Sequence, residues 1–452
     1  MILDMKLYRK IEKKLEEWYS SKYGLIVYGS RQVGKTYILN SFLKEKFGDY
    51  YYLNLYENVN AISVILKAKD TKDFLLRLSA LSNTVITDNS CIFIDEIQEF
   101  YTYLQKHPEI DEHYDILTGS KFIVENTNIR IVFSGSLLRL EMENVISNPV
   151  GYLLPLELYP LDFEEFLMAN KVNKELIEIV KNCFIDKKEV PDYIHALFLD
   201  YFEKYLLVGG MPNAVSEYLD TNSFVAVENA HTAIDHFIRM DITKYAKDNE
   251  KLKIREIYEL IPSELNKISK RFIMSDIPSH NKNDSEQLSF SWLNNAGVTI
   301  PVYIAQEPKI PLKASTIRNK LKLFHEDVGL LTYLLMDSDT KANILSGNTN
   351  INFGAIYENV SAQSLHTHGF KDLYYYNNKK NGEIDFLIEK NGKVIPIEIK
   401  SGKDYQKHSA LNNLFKIKEY AINEAYIFCN DNVVIKDNII YYPIYMIDLL
   451  RK

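Results

Sequence analysis

The residues with the clearest chemical meaning lie at 29–36, GSRQVGKT, between a short apolar run and a helical pattern. Glycines in such a loop let backbone N–H groups surround phosphate oxygens, and the start of the helix adds the positive end of its dipole. Lys35 can reach the β- and γ-phosphates, and the Thr36 hydroxyl can ligate Mg²⁺. The strand and helix patterns on either side disfavour a chance glycine-rich turn. The predicted nucleotide contacts are Gly29, Ser30, Arg31, Gln32, Val33, Gly34, Lys35 and Thr36.

Two acids follow a second apolar run, in SCIFIDEIQEF at 90–100. A continuous apolar run is typical of a central strand in a parallel sheet, and ligands bind beyond the carboxyl ends of such strands. We therefore expect Asp95 to hold Mg²⁺, through water. We expect Glu96 to be the general base that orients or deprotonates the attacking water. The alternative is two acids in a surface loop, which the phosphate-binding loop upstream disfavours.

A third apolar run, in NIRIVFSGS at 128–136, ends in Ser134. A hydroxyl at this strand end can contact the γ-phosphate or the attacking water, so Ser134 is a candidate catalytic residue. The alternative, a serine in an ordinary turn, stays open. Arg139 and Arg239 are candidates for a charge-stabilising arginine, but for each we expect a surface or salt-bridged role.

The second chemical pattern lies in an expected β-hairpin, GEIDFLIEKNGKVIPIEIKSGK at 382–403. Asn391-Gly392 is a strong signal for a type I′ turn, because both residues tolerate a positive φ. This turn pairs Lys390 with Lys393, unless Pro396 marks a bulge or an edge position. The register then predicts one apolar face, formed by Ile384, Phe386, Ile388, Ile395, Ile397 and Ile399.

On the other face the same register places Asp385 opposite Glu398 and Glu383 opposite Lys400. Facing carboxylates repel each other, but a divalent cation such as Mg²⁺ can bridge them. Lys400 shares a face with Glu398, where it can position a water or stabilise developing charge. Glu358, in the preceding helix, is a candidate further ligand. The alternative is a polar outer face on which lysines offset the repulsion.

Nearby aromatic residues allow two further hypotheses. His366 and His368 have the spacing of a metal pair on a strand, but they fall at an expected helix end, where a surface or capping role is favoured. Tyr374, Tyr375 and Tyr376 could stack on bases, although half-buried strand positions are the expectation.

Composition limits the class of protein. The 452 residues are 46% hydrophobic and 25% charged, which is ordinary globular composition, and the net charge is −8. Such a charge argues against coating duplex nucleic acid by bulk charge. The three cysteines follow no metal spacing, and we expect a reducing, cytoplasmic setting. The N-terminus has no signal-peptide pattern, and no apolar run is long enough for a membrane span.

The elements that position these residues fall into four expected domains. Residues 1–160 alternate strands and helices, as in a P-loop NTPase core with a parallel sheet. Residues 161–250 are mostly helical and are expected to form a lid region. Residues 251–335 read as helices followed by two strands, and residues 336–452 as a helix–strand–hairpin–helix–strand α/β domain.

Six segments, in this order, resemble a family of bacterial and archaeal AAA-type ATPases: GSRQVGKT, IFIDEIQ, FSGS, LELYPLDFEEFL, YLLVGGMPNAV and DVGLLTYLL. The resemblance implies an AAA-type core, a winged-helix-like domain at 251–335 and a nuclease-like C-terminal domain of unknown function. It implies for Ser134 the role of the first sensor residue.

Asp385 and Glu398-x-Lys400 match the D…E-x-K pattern of restriction-endonuclease-like nucleases. Glu358 matches the acidic residue that those nucleases often place in the preceding helix. One departure concerns the ATPase: the family has a Gly-Arg pair where this chain has Gly151-Tyr152. Loss of an arginine that acts on a neighbouring subunit would slow or prevent hydrolysis.

Two functions follow from these patterns. The first is an ATPase that hydrolyses ATP with Mg²⁺ to drive or gate a C-terminal nuclease-like domain that acts on or binds nucleic acid. The second is a nucleotide-dependent switch that binds a protein or nucleic acid without cleaving it. ATP is the expected ligand in both. A nucleic-acid partner, a protein partner and a homo-oligomer stay open, and no membrane partner is expected.

Overall fold

The computed structural model describes residues 7–82, 84–110, 113–137, 151–267, 269–279, 287–348, 353–402 and 405–452. The chain divides into two compact units. We call the one with Arg9–Tyr159 and Asn295–Gly297 the P-loop unit. The other, with Pro160–Asn294 and Val298–Lys452, is the eight-stranded unit.

The P-loop unit is built on a five-stranded sheet in the order β2-β3-β4-β1-β5, and all of its neighbouring strands are parallel. Its central strands are apolar along their length because helices cover both faces of such a sheet. β1 and β3 are neighbours of β4 on opposite sides, so the sheet places the ends of all three side by side. The strands are β1 (Gly24–Tyr28), β2 (Tyr51–Asn54), β3 (Cys91–Asp95), β4 (Arg130–Gly135) and β5 (Leu153–Glu157).

Helices follow the strands, as the sequence pattern predicted. They bury apolar stripes such as Ile38, Leu39, Phe42 and Leu43 of α2 against the sheet. Burying one such side chain contributes about 1.5–3 kcal/mol to folding. The helices are α1 (Ile11–Tyr19), α2 (Lys35–Phe47), α3 (Val59–Leu66), α4 (Thr71–Ser82), α5 (Gln98–Lys106) and α6 (Ile116–Asn126).

The eight-stranded unit begins with helices and ends in a mixed sheet of order β12-β13-β11-β10-β9-β8-β6-β7. The strands are β6 (Thr299–Ala305), β7 (Thr316–His325), β8 (Leu373–Asn378), β9 (Gly382–Lys390), β10 (Lys393–Ile399), β11 (Ala425–Cys429), β12 (Val434–Lys436) and β13 (Ile439–Pro443). The helices before the sheet are α7 (Phe163–Ala169), α8 (Lys174–Asp186), α9 (Asp192–Val208), α10 (Pro212–Thr221), α11 (Phe224–Tyr245), α12 (Lys251–Asn266) and α13 (Gln287–Asn295).

Later helices lie between strands of this sheet in the sequence: α14 (Val328–Leu335), α15 (Ser338–Leu345), α16 (Gly354–Thr367) and α17 (Ser409–Phe415). Short 3₁₀ helices occur at Met274–Asp276, Leu312–Ser315, Lys418–Tyr420 and Ile444–Leu449. From α16 to β11 the order is helix, strand, hairpin, helix and strand, as predicted. β10 and β11 are parallel, while β8, β9 and β10 are antiparallel neighbours.

The two strands predicted as a wing do not form one in this structure. β6 and β7 pair with each other, and β6 also pairs with β8 through Val302 and Leu373. Most of their apolar residues, among them Ile300, Val302, Leu321 and Leu323, are buried in the eight-stranded unit. The predicted boundary between residues 335 and 336 consequently falls inside one compact unit.

The predicted hairpin register is present. Lys393 pairs with Lys390, and Asn391 and Gly392 have φ values of 50° and 72°, as a type I′ turn requires. Pro396 pairs with Leu387 without disturbing the register.

An irregularity occurs one strand away and changes which side chains share a face. In the β8–β9 pairing, Tyr374 opposes Leu387 but Tyr376 opposes Ile384, so β9 carries one extra residue. Such a bulge turns successive side chains toward the same face. Ile384 accordingly packs with Tyr376 and Leu387, while Phe386 packs on Phe324 at 6.0 Å between ring centroids. The prediction that Ile384 and Phe386 share a face is wrong for this reason, although both are buried.

Candidate functional site

The phosphate-binding loop has the backbone that its glycines predicted. Gly29 has φ 147°, and a Cβ there would come within 2.0 Å of the Leu158 carbonyl oxygen. Gly34 has φ 95° and precedes the first residue of α2. The Lys35 ammonium donates to the carbonyl oxygens of Gly29 and Ser30, at 2.9 and 2.8 Å. The Lys35 side chain thus lies across the loop that is predicted to bind the phosphates.

Asp95 joins the loop to the neighbouring strands. Its Oδ2 accepts a hydrogen bond from the Thr36 hydroxyl at 2.8 Å and another from the Tyr52 hydroxyl at 3.2 Å. Its Oδ1 accepts from the Ser134 hydroxyl and, at 2.9 Å, from the Glu96 amide. Burial raises the pKa of Asp95, and the Ser134 hydrogen bond opposes this rise. The two groups predicted to hold Mg²⁺, Thr36 and Asp95, therefore lie together.

Glu96 lies beside this pair on a constrained backbone. Its φ of 54° is in the left-handed region, which is uncommon for residues other than glycine. The Gln98 amide donates to Glu96 Oε2, and the Ser136 hydroxyl lies 3.5 Å from the same oxygen. Sequence reasoning missed Gln98, Ser136 and Tyr52, because their roles depend on how strand ends meet in space.

Ser134 is fully buried and bound to Asp95, so it is not the serine of an ordinary exposed turn. Its catalytic role stays a prediction. Arg139 lies outside the described residues. Arg239 pairs with Asp235 at 2.9 Å and also with Glu259, which is the salt-bridged role expected for it.

Tyr152, which replaces the arginine of the resembled family, lies against α6. Its ring centroid is 5.1 Å from the Lys121 ammonium, and a hydrogen bond with Glu125 raises the pKa of its hydroxyl.

The acids of the C-terminal sheet are arranged differently from the prediction. Asp385 accepts a hydrogen bond from the Ile399 amide at 2.8 Å, whereas Glu398 pairs with the Lys400 ammonium at 2.8 Å. The pKa of Lys400 is raised, because the charges of Glu398, Asp385 and Glu358 outweigh its burial. Among the described residues, Glu358, Asp385 and Glu398 do not bring one oxygen each within 4.8 Å of one another.

Lys322 of β7, which sequence reasoning missed, lies in the middle of these acids. Its side chain has 0% exposure, and its ammonium lies 2.7 Å from Glu383 Oε1 and 3.3 Å from Glu358 Oε2. Asp385 Oδ1 is 3.9 Å away. Lys270 also pairs with Glu358. We call Lys322, Glu358, Glu383 and Asp385 the acidic cluster.

Burial and neighbouring charges set the pKa values in this cluster. Burial raises the pKa of Asp385 to about 7, with the Glu358 charge as the next cause. The pKa of Glu358 is lowered, because the charges of Lys322 and Lys270 together outweigh its burial. The pKa of Lys322 is raised, because the charges of Glu358, Asp385 and Glu383 outweigh its burial.

His368 is more buried than expected, with 6% of its side chain exposed. The Nε2 atom of His368 lies 2.9 Å from Asp448 Oδ1 and 3.9 Å from Asp162 Oδ2. These three atoms lie within 4.8 Å of one another. Among the residues that the structure describes, Asp162, His368 and Asp448 therefore form the group whose spacing suits a metal ion. His368 is the C-cap residue of α16, so the capping role expected there is present, whereas His366 is 5% exposed and does not have a surface role. Tyr374, Tyr375 and Tyr376 are at most 7% exposed, which removes base stacking as their role.

A parallel sheet with a phosphate-binding loop after β1 and two acids after β3 defines a P-loop NTPase. A family model described as an AAA domain matches residues 21–167, and this part of the chain is an AAA-type P-loop ATPase domain. Models of two domains of unknown function, DUF8612 and DUF4143, match residues 199–341 and 353–447.

Similar proteins include an uncharacterised protein of Methanocaldococcus jannaschii. It is 25% identical over 375 residues, which cover 80% of this chain and 71% of that protein. A Walker-type ATPase of Pyrococcus abyssi aligns at 13% identity with a TM-score of 0.41, over 73% of this chain and 96% of that one.

The Aeropyrum pernix ORC1 protein, solved in complex with DNA, aligns at 12% identity with a TM-score of 0.29. That match covers 75% of this chain and 93% of the other. At these scores neither solved structure bears on the function of this chain. Across the described residues, no helix is both long and apolar enough to cross a membrane.

Proposed function

We propose that this protein binds ATP with Mg²⁺ and hydrolyses it at the phosphate-binding loop. The observation that carries the proposal is the Asp95 carboxylate, which bonds both the Thr36 hydroxyl of the loop and the Ser134 hydroxyl of β4. The start of α2 and the ends of β3 and β4 thereby contribute groups to one place. The donor set, a hydroxyl and a carboxylate beside a lysine, suits Mg²⁺ bound with a triphosphate.

Each residue then has a defined task. Lys35 leaves its two loop carbonyls to bind phosphate oxygens, and Thr36 and Asp95 hold the metal. Glu96 orients the attacking water and accepts its proton. Gln98 and Ser136 hold the Glu96 carboxylate in place. Bound Mg²⁺ supplies charge neutralisation at the phosphates.

Phosphate release tests this proposal. We expect ATP-dependent, Mg²⁺-dependent turnover by the wild type and loss of nucleotide binding in Lys35→Ala. Binding of ATP by Lys35→Ala with wild-type affinity would contradict the assignment of the loop.

For the C-terminal domain we propose a restriction-endonuclease-like fold. The strand and helix order from α16 to β11 supports it, and so does the position of Glu358 on α16, the helix that precedes β8. The function first expected, cleavage of nucleic acid gated by ATP, requires Asp385 and Glu398 to hold one metal ion and Lys400 to position a water or stabilise developing charge beside it.

A specific observation favours the second function, a nucleotide-dependent switch whose C-terminal domain does not cleave. Asp385 accepts a hydrogen bond from the Ile399 amide, and its Oδ1 lies 3.9 Å from the Lys322 ammonium, a cation that already stands beside the acids. In this account the domain binds nucleic acid or protein, and ATP controls the binding.

A cleavage assay separates the two functions. Single- and double-stranded DNA and RNA are incubated with Mg²⁺ or Mn²⁺, with and without ATP. The switch predicts no cleavage by the wild type. Cleavage that both Asp385→Ala and Lys400→Ala abolish would establish the nuclease instead.

A further inference from the structure

Lys322 has the environment of a bound cation rather than of a surface lysine. Lysine is almost never fully buried unless it is paired, because an ammonium loses several kcal/mol of hydration on burial. Here the ammonium has carboxylate oxygens at 2.7, 3.3 and 3.9 Å. The ring centroid of Tyr375 lies 5.2 Å away, so an aromatic face closes part of the remaining space.

The carboxylates of the acidic cluster also require a cation nearby, because they are largely removed from water. Glu358 is 3% exposed, and the side chain of Asp385 is 18% exposed. Buried carboxylates are tolerated when they are paired or when they coordinate a metal. Lys270 also pairs with Glu358, and 22% of its side chain is exposed. The central position among the three carboxylates belongs to Lys322.

A divalent ion would have to use the same oxygens. Mg²⁺ binds carboxylate oxygens at about 2.0–2.1 Å. An ion bound between Glu358 and Asp385 would then lie a few ångströms from the Lys322 ammonium, where like charges repel strongly in a buried setting. The lysine and a divalent ion are therefore competitors for one position.

We propose that the Lys322 ammonium occupies the cation position of the acidic cluster and thereby excludes a divalent metal ion from it. The inference rests on the proposed nuclease-like fold, and it explains why that fold would not cleave. The ligand that the cluster would take without the lysine is a hard divalent cation, for which Mn²⁺ is the probe.

Electron paramagnetic resonance of Mn²⁺ tests the inference on full-length, nucleotide-free protein. All variants carry Lys35→Ala, so that the phosphate-binding loop contributes no nucleotide-linked metal. We expect no Asp385-dependent Mn²⁺ site with Lys322 in place. Lys322→Gln should gain one site per chain, with at least a tenfold increase in affinity, and a further Asp385→Asn change should remove it.

Lys390→Met is the matched control, because Lys390 lies on β9 outside the cluster and donates to the Arg451 carbonyl oxygen. It should gain no Mn²⁺ site. Lys322→Met provides a second neutral variant. Should either variant be too unstable at room temperature, the inference predicts that millimolar Mn²⁺ raises its unfolding temperature, and that Asp385→Asn cancels this effect.

Two results would overturn the inference. One is an Mn²⁺ site in protein that keeps Lys322, if Asp385→Asn weakens it. The other is a folded Lys322→Gln variant that gains no site. ATP turnover, measured on the same substitutions with Lys35 intact, reports on the proposed ATPase separately, so that the failure of one account is not mistaken for the failure of the other.

Discussion

Glu96 shows how much a single side chain depends on its neighbours. It follows a buried strand, adopts a left-handed backbone conformation and receives a hydrogen bond from Gln98. The bond fixes one carboxylate oxygen, so Gln98 is a positioning residue for the proposed base. Small errors in the placement of a base are costly to catalysis.

Replacing Gln98 should therefore slow hydrolysis without weakening binding. We expect Gln98→Leu to lower kcat for ATP about tenfold with little change in KM. Gln105→Leu on the same helix, α5, is the control, since Gln105 is exposed. A matching loss of kcat in the control, or a rise in KM alone in Gln98→Leu, would contradict the positioning role.

Asp327 carries a pH-dependent part of the stability of the eight-stranded unit. It caps α14 by accepting from the Leu330 amide at 3.1 Å, and it also accepts from the Gly210 amide. Burial nevertheless raises its pKa from 3.8 to about 6. The folded protein thus binds this proton more tightly than the unfolded chain does, and stability falls as pH rises from about 4 to 6.

The measurement is urea unfolding of the wild type and Asp327→Asn between pH 4 and 8. One pKa unit corresponds to about 1.4 kcal/mol, so the stability of the wild type relative to the variant should fall by about 2.4 kcal/mol between pH 4 and 7. Above pH 7 the difference in unfolding free energy between the two proteins should no longer change with pH. A constant difference from pH 4 to 7 would show that Asp327 titrates normally.

At the scale of elements, the hairpin of β9 and β10 depends on its turn. Gly392 has φ 72°, and a Cβ there would meet nothing within 4 Å. The cost of adding a side chain is therefore backbone strain alone, which is about 1–2 kcal/mol.

Gly392→Ala should lower the free energy of unfolding by about this amount, whereas Gly402→Ala should be nearly neutral. A Cβ on Gly402 also meets nothing within 4 Å, and its φ lies outside the left-handed range. Denaturant unfolding measures both. Equal effects of the two substitutions would show that the positive φ carries no cost.

The elements also show which features can be predicted from sequence. The turn at Asn391-Gly392, its register and the phosphate-binding loop follow from local residue types, and all are present. The bulge in β9 does not, because it arises where β9 pairs with β8. Lys322 was missed because nothing in its own segment distinguishes it, and only the sheet brings β7 near the acids of β9 and α16.

The same distinction applies to the nucleotide site. The glycine-rich loop was enough to predict Lys35 and Thr36, and apolar runs followed by polar residues were enough to predict Asp95, Glu96 and Ser134. Their order in the sheet, with β4 between β1 and β3, explains why Ser134 reaches Asp95. Tyr52 and Gln98 had no comparable signal, since a tyrosine on a strand and a glutamine on a helix are common.

At the scale of the whole molecule, nucleotide binding should be visible as stabilisation. A ligand that binds only the folded form stabilises it by about 2.7 kcal/mol at one hundred times its Kd. We expect MgATP to raise the unfolding temperature of the P-loop unit in the wild type and to have no effect in Lys35→Ala. Differential scanning calorimetry measures the unfolding temperature. Equal increases in the wild type and in Lys35→Ala would show that the nucleotide binds outside the phosphate-binding loop.

The central claim is that this chain hydrolyses ATP with Glu96 as the base. The most direct test is the single-turnover rate of γ-phosphate release by the wild type and by Glu96→Gln, with ATP binding measured on both proteins. The account predicts equal binding and a rate about 10²–10⁴-fold lower in the variant. Equal rates in the two proteins would contradict the assignment, and with it the mechanism proposed for the P-loop unit.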